Sequence, residues 1–284
     1  MSRRTRARGL GLLAALVLLV GCAVSPPQDE SKRFPTSKDF GPEVMGRVTV
    51  PGGDGVGWKL SALETPQRPA AWKIVIITGT PSWSEYWAPT LAKVHANRVM
   101  IVADRPGFAL SEPQKAVTSI HDQARALSAL LDGPADQKVV LIGQSYGGPV
   151  ATMLAAQRPD KVKALVLLSA FFGDRGPTAQ RLTALGAAAR PLLPRDLKNA
   201  LAEVANQKPQ LPAVENALAG LTIPIIVLHG GKDTFVTPAA ARALAARARA
   251  AYVEAPEGDH FLNACCVDAV LAASEQAIAA AEKR

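Results

Sequence analysis

The sequence predicts an α/β fold: a mostly parallel, doubly wound sheet carrying a small helical cap. Three observations lead there. Apolar runs such as Trp72–Ile77 and Val162–Leu168 are continuous rather than alternating, as in strands covered by helices on both faces. These runs alternate with helix-compatible segments over short connections. Residues 171–220 then break the rhythm with helical pieces divided by Pro191, Pro194, Pro209 and Pro212, a stretch too short for a core of its own.

In chain order, Glu43–Val50 and Val56–Leu60 are short strand candidates. Pro51-Gly52-Gly53-Asp54-Gly55 between them predicts a hairpin. Trp72–Ile77 and Arg98–Ala103 follow as buried strands. Ser119–Leu131 has helical spacing, with Ile120, Ala124 and Leu127 on one side. Lys138–Ile142 is a strand, Pro149–Gln157 a helix and Val162–Leu168 a strand. The cap pieces are Ala179–Ala189, Leu192–Asn206 and Leu211–Ala219. Ile223–Leu228 resumes the sheet, Pro238–Arg249 is an Ala/Arg helix, Ala251–Glu254 a last strand and Asn263–Ala281 the terminal helices. Alternating Ala and Arg in Pro238–Arg249 reads as a good helix former with one solvated face rather than a nucleic-acid arm.

The first residues are not part of this pattern. Arg3, Arg4, Arg6 and Arg8 precede an apolar run from Leu10 to Val20, an export signal too short for a bilayer span. Leu19-Val20-Gly21-Cys22 resembles the lipobox of bacterial lipoprotein precursors, which implies a lipidated Cys22 and attachment to the membrane through acyl chains. With Ala23 and Val24 after the cysteine, the expected location is the cell envelope, at the outer membrane facing the periplasm. The expected division is a signal peptide over 1–21, a polar tether over 22–42 and the folded domain over 43–284, with the cap at 171–220. The formal charge of +8 includes the four N-terminal arginines, and the rest has no Lys/Arg cluster of nucleic-acid type. No metal-ligand spacing is present, and neither a metal nor a cofactor is expected. Cys265 and Cys266 read as buried small apolar residues; a vicinal disulfide is the alternative.

The chemistry centres on Gly143-Gln144-Ser145-Tyr146-Gly147-Gly148, between a strand and a helix. That context fits a G-x-S-x-G nucleophile elbow, with Ser145 on a tight turn and glycines where side chains would crowd it. A serine needs a base, and the base an orienting acid. Of four histidines, His260 lies in a polar loop after the last strand. His229 ends an earlier strand and reads as filling space beneath the next loop. His95 and His121 read as surface or packing residues on helices. Asp233 follows the strand ending at Leu228 and is the preferred acid. Asp259 is too close along the chain to reach Nδ1, and Asp174 is a weaker candidate. Two donors are needed for an oxyanion: the Tyr146 N–H, at the helix start, and the Thr80 N–H, from the turn after Trp72–Ile77.

Four segments together resemble the α/β-hydrolase superfamily in its lipase/esterase and peptidase-like branch. They are Thr78-Gly79-Thr80-Pro81-Ser82, Asp104-Arg105-Pro106-Gly107-Phe108-Ala109-Leu110-Ser111, the elbow, and Gly230-Gly231-Lys232-Asp233 with Gly258-Asp259-His260. The resemblance runs from about Val44 to the C-terminus and implies that 171–220 is the lid over the active site. It departs at Thr78, where the superfamily often has histidine, and at Ala109, where it usually has glycine. The expected function is a serine hydrolase acting on an ester, thioester or amide carbonyl of a small-molecule or acyl substrate, through an acyl-enzyme on Ser145. Trp83, Tyr86 and Trp87 either line an apolar acyl site or pack under the cap. The alternatives are a peptidase or carbon–carbon bond hydrolase with the same triad, and a non-catalytic envelope binding protein on this scaffold.

Overall fold

The structure, a computed structural model, describes residues 34–284. The expected export signal and Cys22 lie outside the described residues. Eight strands form one sheet in the order β1-β2-β4-β3-β5-β6-β7-β8: β1 (Gly46–Pro51), β2 (Lys59–Glu64), β3 (Trp72–Ile77), β4 (Arg98–Ala103), β5 (Lys138–Gln144), β6 (Val162–Leu168), β7 (Ile225–Gly230) and β8 (Ala251–Ala255). β2 pairs antiparallel with β1 and β4, and every other pairing is parallel.

The helices are α1 (Ala88–Ala92), α2 (Ile120–Leu127), α3 (Gly147–Gln157), α4 (Pro177–Ala189), α5 (Arg195–Asn206), α6 (Leu211–Gly220), α7 (Pro238–Arg247), α8 (Leu262–Cys265) and α9 (Val267–Glu282). Their starts follow local chemistry. The Ser119 hydroxyl accepts from Asp122 N–H at the head of α2, and the Thr237 hydroxyl from Ala240 N–H at the head of α7, ahead of Pro238.

Two apolar cores cover the two sheet faces. On one, Val75, Ile77 and Leu141 pack with Ile120, Ala124 and Leu127 of α2, Val150 and Leu154 of α3, and Leu244 of α7. On the other, Trp72, Ile74, Ile76 and Val140 pack with Trp87, Leu91 of α1 and Val270 and Ile278 of α9. All six residues of β3 are buried, the reason its sequence does not alternate.

β2 lies later than the sequence predicts, at Lys59–Glu64 rather than Val56–Leu60. Ser61 and Ala62 hide it. β2 is flanked on both sides, and a small polar residue fits there because the Ser61 N–H donates to Ser111 Oγ at 2.8 Å and the Ser61 C=O accepts from Asp104 N–H at 2.8 Å. Residues 36–42, assigned to a tether from composition, pack as part of the Thr36–Arg284 unit. Ser37 donates to the Glu85 carboxylate through its amide at 2.7 Å and its hydroxyl at 2.9 Å, and Phe40 packs against the Trp72–Trp87 core.

The parallel strands end at one level. Ile77 faces Gly143, Gln144 faces Leu168, and Leu168 faces Leu228. The turns that follow β3, β5, β6 and β7 therefore line one edge, where open α/β sheets carry their sites. The three helices α4, α5 and α6 connect β6 to β7. α5 is held on the loop after β4 largely by polar bonds. Asn199 Nδ2 donates to Gly107 O at 2.6 Å, Ala109 N–H to Asp196 Oδ2 at 3.1 Å and Arg195 Nη2 to Ala109 O at 2.7 Å.

That loop carries backbone strain. Gly107 has φ +95°, and a Cβ there would meet Lys115 O at 2.9 Å. Ala109 has φ +43° with a side chain, a left-handed conformation costing about 1–2 kcal/mol. Glycine relieves that strain but loses about 0.5–1 kcal/mol of chain entropy. Ala109→Gly is therefore expected to stabilise the protein by up to about 1 kcal/mol, raising Tm by about 2–4 °C in thermal denaturation. A lower Tm would contradict this.

Candidate active site

Ser145 sits between β5 and α3 with φ +49°. Its amide donates to Leu168 O at 2.9 Å, and its carbonyl accepts from Gly148 N–H at 3.0 Å and Phe171 N–H at 2.9 Å. A residue so fixed at both ends holds a conformation that costs of order 1–3 kcal/mol when unsupported. The flanking glycines are steric requirements: a Cβ on Gly147 would lie 2.2 Å from Ile77 O, one on Gly143 2.7 Å from Ala151 Cβ, and one on Gly148 2.6 Å from Ala170 Cβ.

The structure brings Ser145, His260 and Asp233 together. Ser145 Oγ is 3.0 Å from His260 Nε2, and His260 Nδ1 is 2.8 Å from Asp233 Oδ2. All three are buried. Asp233 Oδ1 accepts from the amides of Phe235 (2.8 Å) and Val236 (3.0 Å). Burial alone would raise the Asp233 pKa. The hydrogen bond and charge of His260 and the Val236 amide outweigh it and hold the carboxyl below its ordinary range. An ionised Asp233 only accepts, so the proton between them resides on His260 Nδ1. Nε2 is then free to accept from the Ser145 hydroxyl.

His229, fully buried, props this arrangement from beneath. Val236 O only accepts, so His229 Nε2, at 3.0 Å, carries the proton and donates. Burial lowers the His229 pKa against the pull of Asp233, leaving the ring neutral. The ring thus pins the turn whose amides hold Asp233. The other candidates stand apart. Asp174, His95 and His121 are exposed, and His95 lies in a loop rather than on a helix. Exposed Asp259 caps its own turn, accepting from Phe261 N–H at 2.8 Å.

The Tyr146 amide belongs to the first turn of α3, where N–H groups have no intrahelical acceptor. Thr80 precedes Pro81 across a cis peptide bond, in a turn that crosses above the serine: a Cβ on Gly79 would lie 3.0 Å from Ser145 Cβ. Gly79 N–H donates to Gln144 Oε1 at 3.2 Å. The Gln144 amide reaches Asn263 Oδ1 at 3.4 Å, and Asn263 donates to Tyr86 O at 2.8 Å. The Thr80 hydroxyl is buried and has no hydrogen-bond partner among the described residues.

The aromatic expectation needs correction at Trp87. Trp83 and Tyr86 are half-buried and face each other at 4.8 Å, but Trp87 is fully buried in the core beside Trp72 and Leu91, with no surface to offer a ligand. The one-turn helix Ser84–Trp87 sends its last side chain to the sheet. Sequence reasoning missed two aromatics instead. Phe235 stacks on the His260 ring at 4.8 Å, and Phe261 meets both edge-on at 5.5 and 5.4 Å. Their signal was adjacency: each lies within two residues of a candidate acid or base. The cysteine expectation is also corrected. Cys265 is exposed, Cys266 half-exposed, and the two form a vicinal disulfide at the end of α8.

A family profile described as alpha/beta hydrolase fold matches residues 74–208. Among curated proteins, "Lipase LipV" of Mycobacterium tuberculosis is 42% identical over 104 residues, 36% of this chain and 38% of its own length. "Haloalkane dehalogenase 2" of the same species is 28% identical over 100 residues, 35% of each chain. The chain thus spans well under half the length of these relatives. A thermophilic esterase from Thermogutta terrifontis superimposes with a TM-score of 0.63 at 19% identity, over 83% of this chain and 99% of its own. The chain has the α/β-hydrolase fold.

The sign of the Asp233 shift fixes a pH dependence. A carboxylate with a depressed folded pKa contributes its full stability above the ordinary aspartate value of about 3.9 and loses it as pH falls through the lower folded value. Asp233→Asn is therefore expected to melt below wild type at pH 6, with the gap closing as pH drops below about 3.9. A gap unchanged from pH 6 to the acid limit of folding would contradict an ionised Asp233.

Proposed function

We propose that this chain is a serine hydrolase that cleaves an ester, thioester or amide carbonyl through an acyl-enzyme on Ser145. The observation that carries this reading is the relay from Ser145 Oγ to His260 Nε2 at 3.0 Å and from His260 Nδ1 to Asp233 at 2.8 Å. In this mechanism Ser145 Oγ attacks the carbonyl carbon while His260 Nε2 takes its proton. The carbonyl electron pair becomes an oxyanion held by the Tyr146 and Thr80 amides. Collapse expels the leaving group, which takes the proton from Nε2. A water activated by the same nitrogen then hydrolyses the acyl-enzyme.

The nucleophile itself selects among the chemistries named for the relatives. A serine oxygen that displaced halide from an alkyl carbon would form an ether. This relay has no means of hydrolysing an ether, so the site would be dead after one event. An acyl ester on serine is hydrolysed by repeating the first step. Carbonyl substrates therefore fit Ser145, as in the lipase and esterase names, and alkyl halides do not. Phe235, Phe261, Trp83 and Tyr86 favour an apolar acyl or aryl group beside the scissile bond. A purely binding role is disfavoured because strain at Ser145 and a buried Asp233 charge serve no scaffold purpose.

In the same reading Cys22 is lipidated and holds the enzyme at the outer membrane facing the periplasm, with 171–220 as its cap. The support for anchoring is the Leu19–Cys22 pattern. Among the described residues no helix is long and apolar enough to cross a membrane.

Ser145→Ala is expected to lower turnover of p-nitrophenyl acetate by at least about 10⁴-fold with Tm retained, and to abolish labelling by a fluorophosphonate. Undiminished turnover would sink the assignment. Cys22→Ser is expected to move the protein from the membrane to the soluble fraction; continued membrane recovery would exclude lipid anchoring at that residue.

A further inference from the structure

Arg105 is fully buried and touches the parts that carry both proposed oxyanion donors. Its Nε donates to Thr78 O and its Nη2 to Gly79 O, each at 2.8 Å. Its guanidinium lies 5.2 Å from the ring centroid of Tyr146 and 4.8 Å from that of Phe108. Glu203, on the buried face of cap helix α5, accepts from Arg105 Nη1 at 2.6 Å and Nη2 at 3.0 Å, and from Gln123 Nε2 at 2.6 Å. No part of Arg105 or Glu203 reaches solvent.

The peptide unit explains why this matters. Gly79 C=O and Thr80 N–H belong to one planar trans unit and point in opposite directions. A hydrogen bond from Arg105 to Gly79 O therefore fixes where the Thr80 N–H points. A cationic donor on the carbonyl also polarises the unit and makes the N–H a stronger donor. Thr78 contributes only its carbonyl, its hydroxyl having no hydrogen-bond partner among the described residues. On the other side, burial and the charge of Glu203 hold the Tyr146 phenol un-ionised, so its ring sits beside Arg105 as a neutral face.

We propose that Arg105 and Glu203 are a positioning pair for the oxyanion site: Arg105 orients and polarises the Gly79–Thr80 peptide, and Glu203 locks Arg105 only while α5 is docked. The donor amide thereby depends on the cap, 98 residues along the chain from Arg105. This rests on the serine-hydrolase reading above.

The test separates positioning from structure. Arg105→Met/Glu203→Leu strands no charge but leaves the Thr78 and Gly79 carbonyls and Gln123 without these partners, so it is expected to fold with a Tm below wild type. It is also expected to lose about 10–100-fold in kcat on p-nitrophenyl acetate, with KM changed far less. The second readout is inhibition by 1,1,1-trifluoro-2-octanone. Its carbonyl carbon bonds to Ser145 Oγ, the π pair moves to oxygen as an oxyanion, and the serine proton passes to His260 Nε2. Its Ki is expected to rise in step with the fall in kcat/KM. A folded double variant that retains wild-type kcat and ketone Ki overturns the proposal. Should the double variant not fold, Arg105→Lys, which keeps a charge opposite Glu203 but loses the fork that reaches both carbonyls, decides on the same two readouts. A wild-type protein whose turnover is indifferent to Ser145→Ala sinks the hydrolase reading instead.

Discussion

Holding Ser145 at φ +49° requires that β5 end between neighbours close enough to grip the turn from both sides. β6 supplies Leu168 O for the serine amide, and the chain leaving β6 returns Phe171 N–H to the serine carbonyl. β3 supplies the floor, with Ile77 O directly beneath Gly147. This grip exists only because β5 lies between β3 and β6 with the three C-terminal ends level. The central sheet order and the continuous apolar strands follow from it: a strand flanked on both sides and covered on both faces has no polar side to show.

Two buried charges are the second constraint. Asp233 and Arg105 are each held below the surface, and each is matched by directed groups rather than solvent. Their solutions differ. Asp233 is satisfied by amides two and three residues along its own turn and by His260. Arg105 draws on the Thr78 and Gly79 carbonyls, on Gln123 Oε1 of α2 and on Glu203 of α5. Removing one partner of such a buried pair leaves an uncompensated charge costing about 3–5 kcal/mol, far more than any surface ion pair here.

This difference explains what could be read from the sequence. β3 to β6 were legible because burial on both faces leaves an unbroken apolar run. Ser145, Asp233 and His260 were legible because the elbow has a local signature and only four histidines exist. β2 was not, because Ser61 is accommodated by Ser111, a partner 50 residues away that no local pattern reveals. Glu203 was not, because an acidic residue in phase with buried Ala200 looks like the polar edge of an amphipathic helix until Arg105 is seen opposite it. Trp87 was misplaced because neighbouring aromatics in a one-turn helix diverge by about a third of a turn per residue, which sends adjacent rings to different sides. The vicinal cysteines were misjudged because proximity in sequence says nothing about exposure.

In the proposed mechanism, the acid–base half of the site and the oxyanion half are therefore built on different length scales. The imidazole is oriented by the turn Asp233–Val236 and the His229 beneath it, all attached to the end of β7, and the turn is tied to the start of the β6–β7 connection by the Gly176 and Thr178 amides, which donate to Phe235 O at 2.7 Å and Thr234 O at 3.1 Å. The Thr80 amide is oriented through a carbonyl held by Arg105, which is held in turn by Glu203 of α5 and Gln123 of α2. Residues 179–220 of the cap can vary in sequence without touching the groups that bond His260 and its acid, which are Asp233, the Phe235 and Val236 amides and His229. The same cap cannot shift α5 without moving the counter-ion of Arg105. Selection on substrate shape then acts most freely on α4 beyond Thr178, a helix that buries no residue, and least freely on Gly176 and Thr178 and on the face of α5 that carries Asn199, Ala200 and Glu203.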